Sequence, residues 1–122
     1  MNDSMNDPRK ETRKKLMAFT PVYDSATRAL LGYIGNINLH GVMVVSEHGA
    51  ETGKDITLNI ELPNGLLDTV DKNLLMPAHI AWCKSDESVK SFTIGFEFTK
   101  TTSEQEATIQ AILDRYHFRY SS

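Results

Sequence analysis

Two stretches of strict alternation constrain what this chain can fold into. In DITLNIEL (55–62) the apolar residues Ile56, Leu58, Ile60 and Leu62 occupy every second position, and in SFTIGFEF (91–98) Phe92, Ile94, Phe96 and Phe98 do the same. Side chains along a strand point alternately to opposite faces, so each stretch reads as a strand with one face buried and the other in water. Strands of that kind belong to antiparallel sheets.

Further strand candidates surround them. LMAFTPVYD (16–24) is one, with Pro21 confining it to an edge or a bulge. RALLGYIGNI (28–37) is another, in which Gly32 and Gly35 allow sharp bending. GVMVVS (41–46) is wholly apolar, as expected of a strand buried on both faces. MPAHIAWCK (76–84) sets Ile80 and Trp82 on the same side, and Trp82 together with the Phe92, Phe96 and Phe98 row reads as core. Between two of these, PNGLLDTVDKN (63–73) opens on a Pro-Asn-Gly turn signal and reads as a long connection.

The period changes at the C-terminal end. SEQE (103–106) has the form of a capping box, with Ser103 bonding forward and Glu106 bonding back. Ile109, Ile112, Leu113 and Tyr116 follow at i, i+3, i+4 and i+7, the stripe of an amphipathic helix. Six short strands and one closing helix predict a mainly β fold, a small six-stranded antiparallel β-barrel with a C-terminal α-helix. A length of 122 residues supports one domain. Residues 1–8, polar and ending in Pro8, are expected to form a flexible tail, and 9–122 the domain.

Charge and composition narrow the function. The net charge of −3 argues against a general nucleic-acid binder, yet RKETRKK (9–15) holds five of the 13 Lys and Arg residues. The basic charge is thus concentrated near the N-terminus of an otherwise acidic chain. Cys83 is the only cysteine, which rules out an intramolecular disulfide and fits a reducing compartment. No apolar run approaches the roughly 20 residues of a membrane span, and MNDSMND lacks the pattern of a secretory signal. A cytoplasmic protein without membrane insertion is the expectation.

Nothing in the sequence has the form of an enzyme centre. There is no G-x-S-x-G, no Walker-type phosphate loop and no H-E-x-x-H. The histidines at 40, 48, 79 and 117 are scattered, and a single cysteine does not make a typical zinc site. A binding module without cofactor or metal is expected in place of a catalyst.

Two motifs remain. Arg9 and Arg13 stand as R-x-x-x-R directly before the first strand, and Asn36, Asn38 and Gly41 stand as N-x-N-x-x-G directly before the third. Alone, the first is a solvated basic tail and the second a tight β-turn. In this order the pair resembles the PilZ family, small β-barrels that bind the bacterial second messenger cyclic di-GMP, whose signature is R-x-x-x-R followed by [D/N]-x-S-x-x-G. The resemblance extends to the GNINLHG turn, the strand bearing Trp82, and IGFEF (94–98) ahead of a final helix.

That resemblance implies a non-enzymatic receptor for cyclic di-GMP that relays the signal to a downstream protein partner in motility, adhesion or biofilm control. Arg9 and Arg13 would clamp the ligand, a planar guanidinium matching both the O6/N7 edge of guanine and the phosphates. Asn36 would meet a guanine edge, Gly41 would allow a turn and a close approach, and Asn38 stands where the family has serine. An amide in place of a hydroxyl exchanges one donor and two lone pairs for two donors and an acceptor. This departure keeps open the alternative of a PilZ-like adaptor, as in some type IV pilus proteins, that binds protein and no nucleotide. Weak binding of single-stranded nucleic acid has little support from the acidic body. Pro8, standing before the arginine pair where a further arginine would add a guanine contact, implies one ligand per chain.

Overall fold

Where the sequence alternates, the chain forms strands. The computed structural model describes residues 14–63 and 72–118. Its strands are β1 (Lys15–Met17), β2 (Pro21–Asp24), β3 (Leu30–Ile37), β4 (Gly41–Ser46), β5 (Asp55–Glu61), β6 (Asn73–Asp86), β7 (Ser91–Phe98) and β8 (Tyr116–Phe118), and helix α1 spans Ser103–Arg115. Six of these close a barrel in the order β2-β3-β4-β7-β6-β5, every neighbouring pair antiparallel. Closure pairs every barrel strand on both sides, so the barrel itself has no open edge.

The alternating positions line the interior as expected. Val22, Ile34, Val44, Leu58, Ile60, Met76, Ile94 and Phe96 are buried there. Ile109 and Ile112 of α1 join the same core, and burying each contributes about 1.5–3 kcal/mol. The helix leaves the end of β7 and closes that end of the barrel.

Several expectations are corrected in detail. The 16–24 run is two strands, and Pro21, which has no N–H to donate, heads β2 beside the irregularity between Val22 and Tyr23 in its pairing with β3, so of the two expected settings it has the bulge and not the edge. The first piece, β1, leaves the barrel and pairs in parallel with β8, Lys15 opposite Tyr116 and Met17 opposite Phe118. Strand β4 is not buried on both faces. Val42, Val44 and Ser46 face inward, while Gly41, Met43 and Val45 are half-buried on the outside. The capping box is displaced by one residue: Thr102 is the N-cap and its Oγ1 accepts from the Gln105 N–H at 3.2 Å, while Gln105 Oε1 accepts from the Thr102 N–H at 2.7 Å. Gln105 wins over Glu106 because its amide also donates to the Leu75 carbonyl at 2.7 Å, tying the helix start to β6. Tyr116 is extended and ends the helix, so it begins β8 instead of completing the apolar stripe. Most of the long connection, residues 64–71, and the tail at 1–8 lie outside the described residues.

The correction with the largest consequence concerns Trp82. Opposite β7 the register shifts between Ile80 and Trp82, leaving Ala81 as the extra residue of a β-bulge. Ile80 faces Phe96 in the core, but Trp82 is thereby brought opposite Gly95, on the outside of the barrel. It is 42% exposed and is not a core residue. Of the Phe row, Phe96 is buried and Phe92 and Phe98 are half-buried.

Candidate functional site

The turn between β3 and β4 is organised by Asn38. Its side-chain Oδ1 accepts from the backbone N–H of His40 at 2.8 Å and of Gly41 at 3.1 Å. Its own N–H donates to the Gly41 carbonyl at 2.9 Å. The His40 carbonyl in turn accepts from Phe98 N–H at 2.8 Å, which ties the turn to β7. Asn is suited to this position because its side chain reproduces a backbone turn contact two residues on. Asn38→Ala should therefore cost about 1–2 kcal/mol in denaturant unfolding, and Asn38→Ser less, since a hydroxyl makes the same contact more weakly.

Two bulges aim the neighbouring side chains. In β3 the register shifts between Ile34 and Asn36, with Gly35 as the extra residue, so Ile37 joins Val42 in the core and Asn36 comes opposite Met43 on the outside. In β6 the bulge at Ala81 does the same for Cys83 and Trp82. A row of outward residues then crosses four strands: Asn36, Met43, Gly95, Trp82. Beside it runs a second row of Gly41, Glu97, His79 and Asp55, in which His79 Nδ1 lies 2.9 Å from Asp55 Oδ1.

These rows and the 36–41 turn surround an open depression of ≈ 300 Å³ lined by Asn36, Asn38, His40, Gly41, Met43, Trp82, Gly95 and Glu97 among others. The Trp82 ring lies on Gly95 so closely that a Cβ there would sit 2.2 Å from its Cε2 and Nε1 atoms. Gly95 is the seat that lets the indole lie flat, with one face available. Gly41 has a different reason. It is not among the residues of positive φ, and a Cβ on it would come within 2.3 Å of the Phe96 carbonyl oxygen of β7. Its close approach is thus to the neighbouring strand.

All three expected residues of the second motif, Asn36, Asn38 and Gly41, line this one depression. Arg9 and Arg13 lie outside the described residues. The strand registers nevertheless bring the start of β2, the end of β3, the start of β4 and the end of β7 to one end of the barrel. The chain enters β2 at that end, with the Thr20 carbonyl accepting from Ile34 N–H at 2.9 Å. Immediately before β1, Lys14 Nζ donates to the Leu113 carbonyl at 2.9 Å.

A family model for the PilZ domain matches residues 7–115, nearly the whole chain. The chain belongs to the PilZ domain family. The matched span of this PilZ domain includes both arginines, the 36–41 turn and the strand of Trp82. No curated protein matches it. Among solved structures, the Bacillus subtilis inhibitor of motility (MotI/DgrA) is similar, with a TM-score of 0.55 over 75% of this chain at 16% identity. The likeness is one of fold, and this chain spans 42% of that protein's length.

Sequence reasoning missed Trp82, Met43, His40 and Glu97 as lining residues. One signal was present for Trp82: a glycine inside the alternating SFTIGFEF marks a place where another group approaches closely.

Proposed function

We propose that this PilZ domain is a non-enzymatic receptor for cyclic di-GMP that passes the signal to a protein partner. The observation that carries the reading is the union of the N-x-N-x-x-G residues with an outward-facing Trp82 in one depression. A purine stacked on an aromatic ring gains about 1–3 kcal/mol, and the indole face over Gly95 offers such a platform. The depression, ≈ 300 Å³, is at the small end of the range for ligand sites, about 300–1,000 Å³. It has room for part of a cyclic dinucleotide, and the remainder calls for a second covering element. Arg9 and Arg13, reaching from the basic segment beside β1, supply it by gripping the phosphates and the O6/N7 edge of a guanine. Asn38 keeps its amide NH2 for the ligand while its oxygen holds the turn.

Trp82 is the only tryptophan, so its fluorescence reports directly on the site. Cyclic di-GMP should quench it in a saturable titration at roughly micromolar or tighter affinity, about −8 kcal/mol or better, while GTP and the linear dinucleotide bind far more weakly. Trp82→Ala should lower the affinity, read by calorimetry, by roughly five- to hundredfold. A flat calorimetric titration of the unaltered protein would instead support the adaptor role.

A further inference from the structure

We propose that Glu97 is the guanine-reading residue of this site, its carboxylate accepting from N1–H and the N2 amino group of a base stacked on Trp82. This rests on the cyclic di-GMP reading and adds to it the residue that sets nucleobase specificity.

The acceptors expected from the sequence are already committed. Asn36, the residue expected to meet a guanine edge, turns its Oδ1 to the Ile37 N–H at 2.8 Å. Asn38 Oδ1 accepts from His40 and Gly41. An amide in any case has one oxygen, whereas the Watson–Crick edge of guanine presents two adjacent donors, which a carboxylate accepts in parallel.

Glu97 is the carboxylate in the depression, and it is free to act. It follows Gly95 by two residues on the outer face of β7, so its Cα lies about 7 Å along the strand from the seat of the Trp82 ring. That spacing suits a base whose face lies on the indole and whose edge points toward the barrel end. On one side Glu97 is opposite Gly41, which has no side chain to cover it. On the other it is opposite His79, whose Nδ1 is turned to Asp55. Among the described residues its carboxylate has no hydrogen-bond or ion-pair partner. The charge also bears on the pose: Glu97 repels the phosphates, which favours a base edge and not a phosphate beside it.

Adenine reverses the pattern at this edge, pairing one donor, the N6 amino group, with a lone pair on N1. A carboxylate facing that lone pair forfeits one bond and gains a repulsion, and sites built around a ligand's donors reject analogues that lack them strongly.

The test is calorimetric titration of the unaltered protein and Glu97→Gln with cyclic di-GMP and cyclic di-AMP, with thermal melting of both proteins. The unaltered protein should prefer cyclic di-GMP by roughly a hundredfold or more. Glu97→Gln should weaken cyclic di-GMP roughly tenfold, leave cyclic di-AMP no weaker and melt as the unaltered protein does, since the residue is exposed. Unchanged cyclic di-GMP affinity in Glu97→Gln, or equal loss for both nucleotides, overturns the assignment while leaving the receptor reading standing. No binding of cyclic di-GMP by the unaltered protein overturns both.

Discussion

Gly41→Val is expected to destabilise the protein by about 3 kcal/mol, the upper part of the range for overpacking, because the obstacle is backbone. A Cβ at position 41 would sit 2.3 Å from the Phe96 carbonyl oxygen and 3.3 Å from its carbonyl carbon. A flexible side chain could move aside, but Phe96 is fully paired, with Val42 on one side and Ile80 on the other. Relief requires β4 and β7 to separate at the turn, breaking the bond from Phe98 N–H to the His40 carbonyl, 2.8 Å in the native turn. For a domain of this size such a loss lowers the melting temperature by roughly 10 °C. Gly95→Ala is the contrasting case, since the atoms it would meet belong to the half-exposed Trp82 ring. The ring can swing outward, so melting should move much less while Trp82 fluorescence shifts toward that of a solvated indole. If Gly41→Val melts like the unaltered protein, the glycine of the N-x-N-x-x-G motif is not required by the strand pairing.

This contrast shows which parts of the site were legible in the sequence. The barrel was, because the two alternating stretches can each bury only one face, and six strand candidates with one amphipathic helix leave few arrangements. The turn at 36–41 was also legible, because Asn38 is punctuation that a turn demands, whereas the need for glycine at 41 comes from the neighbouring strand β7. The outward turn of Trp82 was marked only by Gly95 on the facing strand, since alternation in its own strand continued through Ile80 and Trp82 without a visible break. A bulge adds one residue to one strand only, so its mark exists in the pairing between β6 and β7 and in neither strand alone. The short β1–β8 pair was hidden for a similar reason: three residues are too few to show a period. The capping box was found in kind but displaced by one, because the contact that decided it, from Gln105 to the Leu75 carbonyl, is tertiary.

Arg13→Ala should weaken cyclic di-GMP binding by roughly ten- to hundredfold, the equivalent of one charge-assisted contact at about 1.5–3 kcal/mol. Arg13 lies two positions before Lys15, which is paired with Tyr116, whereas Arg9 lies six positions before it. The shorter tether restricts the search of the residue nearer the strand, so it loses less conformational entropy on contact and contributes more net affinity. Arg13→Lys should recover only part of the loss, because an ammonium keeps the charge without the two-pronged fit to a guanine edge or a phosphate. Lys14→Ala separates local charge from specific contact. Its ammonium is committed to the Leu113 carbonyl at 2.9 Å, so removing it should alter binding far less than removing its neighbour. Binding by calorimetry and thermal melting measured on all four proteins decide the matter. The clamp predicts a loss of affinity for Arg13→Ala with a melting temperature within about 2 °C of the unaltered protein, the range of an ordinary surface substitution. A variant that loses binding only as it loses stability would assign Arg13 to the structure of the barrel entrance, and equal losses for Arg13→Ala and Lys14→Ala would reduce the arm to a diffuse positive field.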